Sequence, residues 1–410
     1  MLNPSIPHLI ESMSTKRINL LAIILCLCAG SIFAQSDSIP SMFSRPMEWH
    51  IGAEVSPAWV PGSNVFLKGN NPLSESIDKT FSGSIRGSFS FNPTTREGML
   101  YKGLYQGIGI SANPFFPTKL LGTPISAYVF QGAPITHLSS RLWLGYEWQF
   151  GAAFGWKHDG EESRDNTYPV STAVTAHMAL ALKLHYNLSE RWQLIFGINA
   201  KHYSNGNTSL PNPGVNSLGA SLGITYVINP QKSISTTPQF LEEEADRGRW
   251  VYDITAFGAW RKRIVNVGYL DEQVLCPGKF GVLGLQFSPM RRLNRWVAVG
   301  PALDAQWDEG AGLKPYWVDG SYDEDIKFKR PPFGKQLSVG VSAHAELTMP
   351  IFSVNVGMGY DIVNPKGDKA FFQSLTLKTF ITKRIYLNTG YRLGNFKDPQ
   401  NLMLGVGIRL

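Results

Sequence analysis

The chain has 410 residues, only 17% of them charged, and a formal net charge of +7. Soluble domains carry roughly 25% charged residues, and a mild, dispersed positive excess excludes the basic stripe of a nucleic-acid binder while suiting an anionic membrane surface. Glycine (40) and aromatics (11 Trp, 15 Tyr, 23 Phe) are abundant, and beyond residue 34 no apolar run is long enough for a membrane helix, which leaves alternating strands as the way such a chain enters a bilayer.

The first segment reads as a secretion signal over residues 1–34. Lys16 and Arg17 form a basic start, Ile18 to Leu27 is almost wholly apolar, and Ala34-Gln35 is a cleavage point after small residues. Removal of that segment leaves Cys276 as the lone cysteine, which can form neither an internal disulfide nor a thiolate metal cluster. No metal or organic cofactor is indicated.

Segments of about ten residues with period-2 alternation then recur. In chain order they are 48–57, 82–92, 104–112, 124–131, 141–156, 170–187, 191–204 and 215–228. After a break come 250–260, 279–288, 295–306, 335–348, 350–361, 370–381, 384–392 and 401–410. The break, 229–249, carries Pro230, Pro238 and Glu242-Glu243-Glu244 and reads as a solvated linker. It divides the chain into 47–228 and 250–410, two halves of about eight strands that look like distant copies. The expected fold is all-β: two tandem eight-stranded antiparallel membrane barrels, with one barrel of about sixteen strands as the alternative.

An even-stranded outer-membrane barrel begins and ends in the periplasm and has short periplasmic turns. The seventh segment, 191–204, therefore runs outward, and the 157–169 loop lies on the same outer side. In that segment Trp192, Leu194, Phe196, Ile198 and Ala200 form an apolar row, which His202 and Ser204 extend. Residues i and i+2 of a strand share a face, so the pair lies at the outer end of a lipid-facing row. A soluble enzyme has no use for a base and nucleophile there; an enzyme that cleaves lipids does. On the eighth segment Asn216, Leu218, Ala220, Leu222, Ile224 and Tyr226 form the lipid-facing row, which puts Asn216 on the same face one strand over. Serine, histidine and a residue that accepts from the imidazole N–H follow the logic of acyl transfer. Asn205, Gly206 and Asn212 are candidates for the oxyanion site, through main-chain or amide N–H groups.

His202-Tyr203-Ser204-Asn205, then Pro211-Asn212-Pro213-Gly214, then a residue twelve after the serine, resembles the motif of PagL-type lipid A 3-O-deacylases. The resemblance covers roughly 47–228. It implies an eight-stranded outer-membrane barrel that removes an ester-linked acyl chain from lipid A, with Ser204 as nucleophile, His202 as base and the Asn205/Asn212 region as oxyanion environment. Lipid A, as part of lipopolysaccharide in the outer membrane, is then the partner. The family carries glutamate where this chain has Asn216. Competing readings are a non-catalytic outer-membrane barrel (pore, adhesin or structural protein) and an esterase acting on glycerophospholipids.

Other residues read as structural. His137-Leu138-Ser139 fits an ordinary turn, His177 and His185 interior packing, and Glu147 and Lys201 an interior ion network. His344 and Glu346 share a face without an apparent third partner. Tyr391 and Leu393 stand where the second half would place its histidine and serine, so that half lacks the pair.

Overall fold

A computed structural model describes residues 47–92, 95–158, 168–210, 212–230, 247–267, 272–317, 326–364, 370–396 and 398–410. The expected signal, Pro211, most of the 229–249 linker and residues 159–167 of the outer loop lie outside the described residues.

The first half contains β1 (Met47–Trp59), β2 (Lys79–Phe91), β3 (Tyr105–Ala112), β4 (Phe115–Phe116), β5 (Ile125–His137), β6 (Leu142–Phe154), β7 (Val174–Asn187), β8 (Trp192–Ser204) and β9 (Val215–Val227). Eight of these run antiparallel in the order β1-β9-β8-β7-β6-β5-β3-β2, and β2 returns to β1; the two-residue β4 pairs with the end of β2. The second half contains β10 (Trp250–Arg261), β11 (Ile264–Val267), β12 (Glu272–Leu275), β13 (Phe280–Arg292), β14 (Val297–Asp308), β15 (Lys314–Trp317), β16 (Ile326–Lys329), β17 (Leu337–Thr348), β18 (Phe352–Val363), β19 (Phe371–Phe380), β20 (Ile385–Gly394) and β21 (Asp398–Arg409). Its barrel closes as β10-β13-β14-β17-β18-β19-β20-β21, with β11–β12 and β15–β16 as separate hairpins. Each half closes on itself, β1 pairing with β9 and β10 with β21, so the single sixteen-stranded barrel is not the fold.

Burial is inverted relative to a soluble protein. Ile51, Ile85, Ile108, Leu180, Ile198 and Leu222 are exposed, while Glu147, Lys183, Asp253 and Glu346 are buried. That arrangement is stable only where lipid, not water, wets the outer face. Inside the first barrel, Arg86 pairs with Glu54 at 2.8 Å and with Glu147, and Lys183 pairs with Glu54 at 2.6 Å and Glu147 at 3.0 Å. Inside the second, Lys378 and Arg409 each lie 2.6 Å from both Asp253 and Glu346. Each carboxylate therefore has two cations, the condition for charge to persist away from water.

The connections at one end are mostly tight, such as 138–141, 188–191 and 381–384, and those at the other are mostly long. The long end is the outer one. There the first barrel is closed by an apolar cap that period-2 reading cannot see. Val60, Phe66, Leu67 and Ile77 of the β1–β2 loop pack with Phe115, Leu120, Leu121, Trp156 and Val170 and with the inward-facing Tyr203 and Val215. This is why β7 starts at Val174 and not at residue 170, since Val170 belongs to the cap. Conversely β5 continues past residue 131 to His137, with a register shift between Pro134 and Thr136.

Candidate functional site

The site lies at the outer end of β8 and β9 and in the loop between them. Along β8, Phe196, Ile198 and Ala200 face outward and Ile195, Asn199 and Tyr203 inward. His202 and Ser204 therefore stand on the lipid face and Tyr203 between them points into the barrel. Tyr203 is fully buried, with ring centroids 5.2 Å from Trp156, 5.2 Å from His177 and 5.8 Å from Phe115. On β9 the inward Val215 is buried in the same cap. Both strands are thus locked through the residue beside each site residue, which fixes the direction of the outward ones.

His202 and Asn216 are directly opposed in the β8–β9 ladder. Their side chains meet, His202 Nδ1 lying 2.7 Å from Asn216 Oδ1. The amide oxygen accepts from Nδ1–H, which leaves the lone pair on Nε2. Gly214 adjoins the imidazole at φ +75°, and a Cβ there would fall 3.0 Å from His202 Cε1 and 2.8 Å from Tyr203 O. Only glycine fits, both for the left-handed backbone and for the space beside the ring. Its N–H donates to Pro169 O at 3.0 Å, tying the loop to the chain entering β7.

Ser204 Oγ receives two donors: Asn212 Nδ2 at 2.9 Å and the Gly206 main-chain N–H at 3.2 Å. Two of the three oxyanion candidates thus converge on the serine oxygen. Asn205 does not. Its main-chain N–H donates to Asn212 Oδ1 at 3.0 Å, and its buried Nδ2 donates to Ser171 Oγ at 3.1 Å and Ser209 O at 3.0 Å. Asn205 is the tether that orients Asn212 and the loop, so its donors are spent elsewhere. Thr208 Oγ1 closes the turn by donating to Asn205 O at 2.9 Å.

No hydrogen bond joins His202 to Ser204. Alternate residues of a strand are about 6.6 Å apart along the chain, and base–nucleophile contacts in free sites commonly tighten only when substrate docks. Chemically, the site offers a hydroxyl with two N–H donors on its oxygen, beside an imidazole of fixed tautomer, on a surface facing lipid.

The remaining residues singled out by sequence fall as follows. Ser139 Oγ accepts from Leu142 N–H at 3.1 Å in the β5–β6 turn. His177 Nε2 is 3.1 Å from Gln149 Oε1, and His185 stacks on Trp143 at 3.6 Å, both inside the barrel. Glu147 belongs to the interior ion cluster, whereas Lys201 donates to Ser82 Oγ at 2.8 Å. His344 does have partners: Nδ1 lies 2.6 Å from Asn355 Oδ1 and Nε2 2.9 Å from Ser342 Oγ. These three are buried inside the second barrel, and the sequence missed them because cross-strand register brings Asn355 near. Cys276 is free and buried against Phe280 and Leu313, and burial raises its thiol pKa. Among the described residues no His, Cys, Asp or Glu cluster is arranged to hold a metal ion, and no helix is long and apolar enough to cross a membrane.

Fold and site together define an outer-membrane β-barrel protein with a polar constellation on its lipid face. Residues 97–225 match the family model described as lipid A 3-O-deacylase (PagL), and 250–410 match the acyloxyacyl hydrolase C-terminal domain of the same family. The chain belongs to the PagL lipid A deacylase family, and its place is the outer membrane. The C-terminal barrel thus matches a domain described in its own right.

No curated protein sequence matches the chain. Among solved structures, the siderophore receptor PirA from Acinetobacter baumannii is 8% identical, with 85% of this chain and 68% of that one covered and a TM-score of 0.22. A mutant Rh. blastica porin is 8% identical, covering 89% and 100%, at 0.17. The outer membrane protein Omp33 of Acinetobacter baumannii is also 8% identical, covering 88% and 98%, at 0.16. At such scores they establish no residue correspondence.

Proposed function

We propose that this protein is an outer-membrane serine esterase that removes an ester-linked acyl chain from lipid A. Ser204 Oγ attacks the ester carbonyl carbon and its proton passes to His202 Nε2. The carbonyl oxygen, now an oxyanion, takes the Gly206 N–H and Asn212 Nδ2 donors, which are already fixed in direction. The bond between the acyl carbon and the ester oxygen breaks as His202 returns the proton to the leaving alkoxide, leaving the acyl group on Ser204. Water, deprotonated by His202, attacks that acyl-enzyme, and the fatty acid departs with Ser204 restored. Asn216 keeps the imidazole in the tautomer that the first step requires.

The observation that carries this reading is the convergence of Asn212 Nδ2 and Gly206 N–H on Ser204 Oγ, in the same outward row as a histidine oriented by Asn216. A strand end entering a loop has no structural need for two donors on one hydroxyl. A barrel that has kept the family fold without turnover is the competing reading, favoured by the neutral Asn216 in place of a carboxylate.

A fluorophosphonate probe, which phosphonylates activated serines, separates the two. Wild-type protein in detergent is expected to take the label on the peptide containing Ser204, and Ser204→Ala and His202→Ala are expected to take none. Wild type that stays unlabelled while folded, or equal labelling of Ser204→Ala, contradicts the esterase reading.

A further inference from the structure

The loop that carries the Gly206 donor is held from outside its own barrel. The main-chain N–H of Lys262, one residue past β10, donates to Asn207 O at 3.1 Å. Leu402 of β21 lies against Gly206, where a Cβ would fall 2.6 Å from Leu402 Cδ2 and 2.8 Å from its Cγ. Gly206 and Asn207 are consecutive left-handed residues, each at φ +63°. Glycine and asparagine are the residues that enter that conformation most readily, so the turn is suited to it and its position depends on what packs against it. Both contacts from the second barrel fall on these two residues, and the first of them supplies the N–H on Ser204 Oγ.

The register of the second barrel bears on the same point. Leu402 pairs with Tyr391 across its seventh and eighth strands, toward the same outer end at which His202 pairs with Asn216 in the first barrel. Leu402 thus reaches out of its own barrel and rests its side chain on the loop that follows Ser204. The outer faces also pack directly: Val129, Trp148 and Phe150 cluster with Met349, Phe352 and Leu377.

We propose that Leu402 is a positioning residue for hydrolysis at Ser204, and that the C-terminal barrel is part of the active site because it braces the Gly206–Asn207 turn. The proposal rests on Ser204 being the nucleophile. Without the leucine, the turn relaxes and the Gly206 N–H drifts from the reacting oxygen, the kind of shift of about 1 Å that lowers a rate about 10²-fold. Substrate affinity, set by the acyl chain and sugar, is unaffected.

The test uses full-length protein in detergent, with folding followed by heat-modifiable migration and turnover measured on lipid A. Leu402→Ala is expected to lower kcat about tenfold or more with KM within about twofold, the signature of an interaction used in the transition state alone. Leu402→Met, of nearly the same volume, is expected to recover kcat to within about threefold. A merely structural leucine would change the folded fraction and leave kcat per folded molecule as it was. A spin label on Leu210→Cys, in protein whose three natural cysteines are replaced by serine, reads the brace without catalysis, and Leu402→Ala is expected to increase its mobility. Wild-type kcat with unchanged label mobility in folded Leu402→Ala overturns the proposal and leaves Ser204 in place. Full turnover by Ser204→Ala overturns the nucleophile instead, and the label still shows whether the loop is braced.

Discussion

Asn216 stands where the resemblance to the family leads one to expect a glutamate. Its Oδ1 accepts from His202 Nδ1 at 2.7 Å and so selects the tautomer, but in the proposed reaction a neutral amide does not offset the charge that the imidazole would gain. In a serine protease the change from aspartate to asparagine lowers turnover about 10⁴-fold, mainly through the wrong tautomer. Here the oxygen is correctly presented, so the missing part is electrostatic. Asn216→Glu is therefore expected to raise turnover about tenfold or more, which corresponds to about 1.4 kcal/mol in the transition state. The carboxylate favours protonated imidazole, which cannot act as base, so the acidic limb of the pH–rate profile should move to higher pH in the variant. A folded variant no faster than wild type at any pH contradicts the electrostatic role assigned to this position. Gly214 is the second residue whose substitution is informative. Gly214→Ala places a methyl against His202 and Tyr203 O in a left-handed backbone, and kcat is expected to fall on the order of 10²-fold while the barrel remains heat-modifiable. A loss of folding in place of a loss of kcat would show that Gly214 serves the turn and not the imidazole.

At the scale of the strand, the alternation in 191–204 was enough to place His202 and Ser204 outward, and the same alternation from Asn216 to Tyr226 placed Asn216 on the face it shares with them. Period 2 fixes the face because each side chain has only two choices. The loop was less legible. The sequence offered Asn205, Gly206 and Asn212 as equals, and only the turn geometry shows that Asn212 and Gly206 reach Ser204 whereas Asn205 is tethered to Ser171 and Ser209. Ser171 is thirty-four residues from Asn205, and no local pattern announces such a contact. The cap was likewise invisible: Phe66, Leu67 and Ile77 sit in an irregular loop with no periodicity, yet they pack around Tyr203. Tyr203→Ala leaves a cavity between the two outward residues of β8. Removing a buried aromatic costs about 3–5 kcal/mol, so the variant should unfold at lower denaturant concentration. Since the same side chain holds His202 and Ser204 in direction, kcat should fall in the molecules that remain folded. Unchanged denaturant midpoint and kcat would mean that the cap does not position the site.

Across the whole molecule, the two barrels repeat one interior plan with different residues. A carboxylate on the first strand, Glu54 or Asp253, meets a lysine on the sixth, Lys183 or Lys378, and a second carboxylate and an arginine complete each cluster. The sequence suggested distant copies from strand patterning; the shared cluster emerges only when the barrels close, because its members lie up to 156 residues apart. Removing one member leaves buried cations short of a partner. Glu147→Gln is expected to destabilise the first barrel by on the order of 3 kcal/mol, read as a lower urea midpoint in lipid bilayers; an unchanged midpoint would show that the cluster is solvated. On the proposed reading, two closed, charge-pinned barrels hold the loop after Ser204 at the outer leaflet, where an acyl ester would approach from lipid. The most direct measurement is mass spectrometry of lipid A after incubation with purified protein. Wild type should remove one acyl chain and release the free fatty acid in equal amount, while folded Ser204→Ala should leave lipid A intact. Lipid A unchanged by the folded wild type, or shortened equally by Ser204→Ala, would contradict the assignment.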